Sequence, residues 1–239
     1  MTAPYLSKAP NRIASMFDAI AGRYDFLNHL LSAGIDRRWR RLAIQSLSLT
    51  GRERVLDLCT GTGDLAIAAR MGRPAAARVV GVDFAEAMLR VGSAKLRRKR
   101  LNDRVALVRG DATRLPTAGR SVDAVTIAFG IRNVEHPHAA CDEIYRVLKQ
   151  DGRLAVLEFA IPTMPGLRAG YLWYFNHLLP LIGRLVSRND GAYGYLPASV
   201  AAFASPDEFV KMLRQSGFID VSTIPLTCGI VFLYTARRG

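Results

Sequence analysis

Between residues 54 and 159 the chain alternates two kinds of apolar patterning, and this alternation restricts the fold more than any other feature. Short β-branched runs stand at RVLDL (54–58), RVVGVD (78–83), VALVRGD (105–111), VDAVTIAF (122–129) and RLAVLEF (153–159). Between most of them lie helical patterns: GDLAIAARM (63–71), AEAMLRVGSAKLRRKR (85–100) and HAACDEIYRVLK (138–149). Buried strands separated by amphipathic helices predict an α/β domain with a doubly wound, mostly parallel sheet.

The end of the chain changes character. Ser205, Pro206 and Glu208 form a capping-box start for a helix, and Gly217 supplies its stop. DVSTIPL and GIVFLYTARR then read as two strands joined by TCG, a connection short enough for an antiparallel pair. With five strands before it, this pair predicts a seven-stranded sheet of the class I S-adenosylmethionine-dependent methyltransferase type rather than a dinucleotide-binding sheet. Residues 10–50 and 161–204 fall outside the strand pattern. They are expected to be helical covers over the carboxyl ends of the strands, where open α/β sheets bind ligands. The chain, 1–239, is read as a single domain.

The loop after the first strand, CTGTGD, places Gly61, Thr62 and Gly63 between a strand and a helix, the context a nucleotide-binding turn requires. Asp83 ends the second strand 20 residues beyond Gly63, where a carboxylate can take both ribose hydroxyls. Asp111 ends the third strand, where it and the Ala112 amide can read an adenine edge. NAD and S-adenosylmethionine both carry adenosine. The loop lacks a third glycine, and Asp64 at the helix start would oppose a diphosphate there. Asp57 adds a second acid near the same end. These features favour S-adenosylmethionine as cofactor.

Other constellations are weaker. Cys59, Cys141 and Cys228 lie far apart, and His136 and His138 flank Pro137 with no third ligand, so neither a disulfide framework nor a metal site is expected. The start has no apolar signal core. The uncharged stretch 169–183 is too short to span a bilayer and is interrupted by Asn176, His177 and Pro180. A cytoplasmic protein is expected. The net charge is +13, much of it in DRRWRR (36–41) and AKLRRKR (94–100). Such clusters are either solvated surface or a docking face for anionic lipid or nucleic-acid phosphates. No NPPY- or DPPY-type motif follows the fourth strand, which disfavours a nucleic-acid methyltransferase and leaves no nucleic acid among the expected partners.

The stretches YDFLNHLLSAGIDRRWRR (24–41), VLDLCTGTGDLA (55–66), FGIRNV (129–134), YRVLKQDGRLAVLEFA (145–160), YGYLPASVAAF (193–203) and LTCGIVFLY (226–234) resemble the ubiquinone/menaquinone biosynthesis C-methyltransferase family. Within it they look most like the demethylmenaquinone methyltransferases. The resemblance covers nearly the whole chain. FGIRN and the YD–N–LS–RRW block are its narrow signals; the glycine loop is shared by many methyltransferases. Departures are Asp36 where a histidine is usual, Ala128 where a serine is usual, KQDG at 149–152 for KPGG, and Ala160 for a serine.

The resemblance implies methylation of a ring carbon of a polyprenylated quinol, demethylmenaquinol before a benzoquinol. Another small phenol or a catalytically silent binding module are the remaining alternatives. Carbon is a poor nucleophile, but a hydroquinone that loses a hydroxyl proton pushes density onto the neighbouring ring carbon, which then attacks the methyl in line. On this reading Arg132 stabilises the phenolate or orients a water that takes the proton, Asn133 fixes a ring oxygen, and Tyr24 closes over the sulfonium. An ion pair between Arg132 and Glu135 or another acid is the structural alternative. The segment 167–186 would wall the isoprenoid tail, and the basic clusters would bring the protein to the anionic inner face of the cytoplasmic membrane. The chain leaves room for a homodimer.

Overall fold

The computed structural model describes residues 8–174, 177 and 190–239. Its strands are β1 (Arg54–Leu58), β2 (Arg78–Asp83), β3 (Val105–Arg109), β4 (Val122–Ala128), β5 (Leu148–Phe159), β6 (Phe218–Leu226) and β7 (Val231–Arg238). They form one sheet in the order β3-β2-β1-β4-β5-β7-β6. Strands β1 to β5 pair in parallel, and β7 runs antiparallel to both β5 and β6. The mixed, seven-stranded sheet expected from the pattern is present, with the terminal hairpin at its end.

Alternation along the strands builds two cores. Leu56, Leu58, Val125 and Ile127 face one way, beneath helix α5 (Pro137–Val147) and helix α8 (Pro206–Gln215). Val55, Val79 and Ala124 face the other, beneath α2 (Asp36–Ser46) and α3 (Asp64–Met71). Both faces are covered, so the central strands read as continuous apolar runs. Each fully buried aliphatic side chain contributes about 1.5–3 kcal/mol. The edge strands β3 and β6 are largely exposed.

The predicted capping box closes α8: Ser205 Oγ accepts from the Glu208 amide at 3.4 Å, and Glu208 Oε2 accepts from the Ser205 amide at 2.7 Å. Gly217 follows with φ +97°, and a Cβ there would lie 3.0 Å from the Tyr145 ring. KQDG is more than a turn. Strand β5 begins at Leu148 directly after α5, runs through these residues with Asp151 at φ 61°, and shifts register against β4.

The remaining helices α1 (Pro10–Leu31), α6 (Pro165–Trp173) and α7 (Asp190–Ala201) cover the carboxyl ends of the central strands, where the start of α2 also reaches; α4 (Glu86–Lys99) flanks β2 and β3. Asp18 of α1 accepts from the Ala87 amide at 2.7 Å, capping the start of α4 from outside. Trp39 of α2 donates to Thr227 Oγ1 at 2.9 Å, between β6 and β7. Tyr174 donates to the Leu31 carbonyl at 3.2 Å, joining the end of α6 to the end of α1. No described helix is long and apolar enough to cross a membrane.

Candidate functional site

The loop after β1 turns on two left-handed glycines, Gly61 (φ +55°) and Gly63 (φ +80°), the latter capping α3. Asp83 at the end of β2 accepts from the Gly61 amide at 2.7 Å and from the Ala85 amide at 2.9 Å. Burial raises its pKa against the pull of these amides. Gly61 and Asp83 line a narrow pocket of about 50 Å³ together with Cys59, Phe84, Met88, Gly110, Ala128, Gly130 and Asn133. A Cβ at Gly130 would lie 2.2 Å from Cys59 Cβ, so only glycine lets the loop after β4 cross the loop after β1. Asn133 Oδ1 is buried here without a hydrogen-bond partner among the described residues.

The other predicted cofactor residues stand further back. Asp57 lines neither this pocket nor its neighbour. Its carboxylate accepts from Thr60 Oγ1 at 2.5 Å and Thr126 Oγ1 at 2.7 Å, and burial pushes it up to about 6. Strand alternation explains this: Leu56 and Leu58 point to the α5 face, so Asp57 points beneath α3. Thr62 and Gly63 shape the loop, but Thr62 Oγ1 bonds Asp25 of α1 rather than facing the pocket. Asp111 holds its own turn, accepting from the amide and hydroxyl of Thr113 at 2.8 Å each, while Gly110 before it faces the pocket; Ala112 packs in the core.

Asp64 does not stand as a lone negative charge. Its carboxylate lies 2.6 Å from Lys95 and 3.7 Å from Arg40. The neutralised carboxylate opposes a diphosphate far less than the sequence suggested. Lys95 also bonds Asp25 at 2.7 Å and Thr62 at 2.9 Å, so α1, the glycine loop and α4 share one ionic knot. In the basic clusters, then, Lys95 and Arg40 are internal ties. Arg40 is buried and pairs with Asp36, which also accepts from Ser32 Oγ at 2.9 Å and lies 2.8 Å from His29 Nδ1.

A second cavity of about 550 Å³ opens beside the first. Its wall is mostly aliphatic and aromatic, from Met16, Ile20 and Leu27 of α1, Trp39 of α2, Leu167 and Tyr171 of α6, and Leu196 of α7. Of the proposed tail wall, Leu167, Gly170, Tyr171 and Tyr174 line it, while 175–176 and 178–186 lie outside the described residues. Phe17, Tyr24 and Phe129 line both cavities and so form the partition between them. Tyr24 therefore sits where a donor and an acceptor would meet, and burial raises its pKa despite a hydrogen bond with Asn28.

Arg132 lines the large cavity and is itself buried. It pairs with Glu158 of β5 at 2.7 Å, not with Glu135. Nη1 also donates to the Phe129 carbonyl, and Nε to Ser199 Oγ of α7 at 3.3 Å. The second terminal nitrogen, Nη2, makes none of these bonds. Glu158 is fully buried, so Arg132 presents a hydrogen-bond donor whose charge is already balanced. Asn133, the next residue but on the other side of the partition, faces the narrow pocket and not this cavity. His136 and His138 flank the start of α5, and no group of three metal-ligating side chains occurs among the described residues.

This sheet order, with a glycine loop after β1 and an acid after β2 at one pocket, defines a class I-type methyltransferase. The chain belongs to the ubiE/COQ5 methyltransferase family, whose model matches residues 6–238. It is 49% identical over 224 residues to a ubiquinone/menaquinone biosynthesis C-methyltransferase of Syntrophotalea carbinolica, covering 94% of this chain and 93% of that one. It is 38% identical over 237 residues to a demethylmenaquinone methyltransferase of Porphyromonas gingivalis, covering 98% and 97%. Among solved structures, the cyclase SpnF aligns with a TM-score of 0.69 at 18% identity, over 96% of each chain. A SAM-dependent methyltransferase from Aquifex aeolicus aligns at 0.59 and 17% identity, over 84% of this chain and 89% of that one. The structural likenesses establish the fold; family membership makes the chain a methyltransferase with S-adenosylmethionine as donor.

Proposed function

We propose that the protein methylates a ring carbon of a reduced polyprenyl quinol, with demethylmenaquinol as the preferred acceptor. The observation that carries this reading is the large apolar cavity with its buried arginine, separated from the glycine-loop pocket only by Phe17, Tyr24 and Phe129. A greasy tail suits its walls, and a ring oxygen suits Arg132 Nη2. The orphaned Asn133 Oδ1 beside Asp83 fits a ligand rich in N–H and O–H donors, as S-adenosylmethionine is. Bound there, the donor supplies an electrophilic methyl group. Asp83 and Asn133 hold the donor; the backbone at Gly61 and Gly110 shapes its bed.

On the acceptor side, Arg132 stabilises the oxygen whose lost proton drives density onto the neighbouring carbon. Asn133, facing the donor, is released from the ring-oxygen role expected of it. Tyr24 closes the gap between the two reactants. After attack the ring proton passes to a water at Arg132 and the oxygen regains its own, so each turnover releases one proton in all. The aligned, water-poor site favours the quinol carbon over hydrolysis.

The acceptor is a bilayer lipid, and α1 and α6, which wall the cavity, also carry exposed apolar side chains: Phe26 at 61%, Leu30 at 50% and Trp173 at 60%. Arg37, Arg38 and Arg41 of α2 are exposed nearby in sequence. A peripheral location on the inner face of the cytoplasmic membrane follows, with apolar rim and basic charge acting together. The testing assay offers reduced demethylmenaquinol and a reduced demethylated benzoquinol side by side with labelled donor. Methyl transfer to the naphthoquinol, with the oxidised quinones inert, is expected. Transfer only to the benzoquinol would reassign the acceptor.

A further inference from the structure

The stretch YGYLPASVAAF forms most of α7, and one of its residues has no role in the account so far. Tyr195 is 6% exposed and lines the large cavity, and its hydroxyl is buried without a hydrogen-bond partner among the described residues. Leaving a phenol oxygen unpaired in an apolar interior is unfavourable, and a phenylalanine would pack the same ring without that cost. Nothing among the described residues gives the hydroxyl a structural reason.

Its surroundings indicate what it waits for. Ser199 stands four residues later, on the same face of α7 one turn on, and its Oγ accepts from Arg132 Nε at 3.3 Å. Tyr195 thus lies among the polar residues of a mostly apolar cavity, close enough to feel the Arg132–Glu158 pair. Burial raises its pKa, which keeps it a neutral donor. The aromatic and aliphatic walls offer such a donor nothing to bind.

We propose that the Tyr195 hydroxyl donates to the ring oxygen of the acceptor remote from the methylated carbon, and so fixes which ring position meets the methyl group. This rests on the quinol reading above. In a 1,4-hydroquinone each ring C–H is ortho to one oxygen and meta to the other. A hydrogen bond to the meta oxygen orients the ring without draining density from the reacting carbon, while Arg132 attends the ortho oxygen. Two donors on opposite oxygens define the plane and rotation of the ring; Arg132 alone leaves it free to pivot.

The experiment compares wild type with Tyr195→Phe, using two acceptors that carry the same alkyl chain. One is the reduced naphthoquinol; the other is the corresponding naphthol that keeps only the oxygen ortho to the reacting carbon. With the quinol, Tyr195→Phe is expected to lower kcat/KM about tenfold, the worth of one neutral hydrogen bond of this kind. Donor affinity should hold and Tm should stay level or rise. With the naphthol, wild type and variant should react alike, a pattern that loss of packing cannot produce. Equal turnover by both proteins on the quinol would overturn the assignment while leaving the quinol reading intact. An equal loss on both acceptors would also overturn it. Failure of wild type to methylate the quinol at all would remove the underlying reading, and this assignment with it.

Discussion

The two cavities are built by opposite means. The narrow pocket is made largely of backbone at strand ends: two left-handed glycines, a glycine that no side chain can replace, and an acid anchored by two amides. The large cavity is made of side chains from four helices outside the sheet, with a charge-balanced ion pair at its polar end. On the proposed reading, backbone geometry sets where the donor lies, and side-chain volume and polarity choose what meets it. The first is built on the sheet of a fold that a cyclase also adopts; the second is built by the helices around that sheet.

Arg132→Lys tests the comparison hardest. It is expected to keep donor affinity, because Arg132 faces only the large cavity, and to lower the single-turnover rate on the order of a hundredfold. Saturating acceptor should not restore the rate. Wild-type chemistry in that variant would make the Arg132–Glu158 pair purely structural.

Two carboxylates around β1 offer a sharper contrast in stability. For Glu53, burial works to raise the pKa, but bonds from Thr50, Gly51 and Arg52 outweigh it and bring it down to about 2. Its contribution is present above the unfolded carboxylate range and fades as pH falls toward 2. Asp57, pushed up to about 6, behaves oppositely: stability is favoured while it is protonated and lost as pH rises from about 4 through 6. Glu53→Gln should therefore cost most near pH 7 and little near pH 2. Asp57→Asn should gain on wild type as pH rises from 4 to 7. Each effect is at most about 3 kcal/mol. Thermal melts across this range check both, and parallel pH profiles for the two variants would contradict the pair.

Asp83→Ala should weaken S-adenosylmethionine binding by roughly 1.5–3 kcal/mol. Asp83→Asn, which keeps an acceptor for the Gly61 or Ala85 amide, should lose less. Calorimetric titration that finds both variants like wild type would remove Asp83 from the pocket's function. The smallest effect concerns the rim. Pelleting with anionic vesicles should decline as salt is raised, since exposed charges are screened over about 8–10 Å at physiological ionic strength. Residual binding at high salt would measure the share carried by Phe26, Leu30 and Trp173.

The sheet, its hairpin and the α8 cap were legible because each depends on local pattern. Asp83 was legible because strand ends and loop lengths place it without knowledge of any side-chain contact. Asp57 was misplaced for want of one step: alternation from Leu56 and Leu58 already turns it under α3. Glu158 was hidden, since an acid in LEF reads as one polar position in a buried strand, and its partner is 26 residues away. The Asp25–Lys95–Asp64 knot was hidden for the same reason, its members far apart in sequence and only Lys95 standing in a run that looked like solvated charge. Tyr195 carried no periodic signal at all; only its missing partner marks it.

One helix serves both chambers. Phe17 and Tyr24 of α1 wall the narrow pocket and the large one. The same helix is tied through Asp25 to Thr62 of the glycine loop and through Asp18 to the Ala87 amide of α4. A substitution that loosened either tie would therefore disturb both chambers at once.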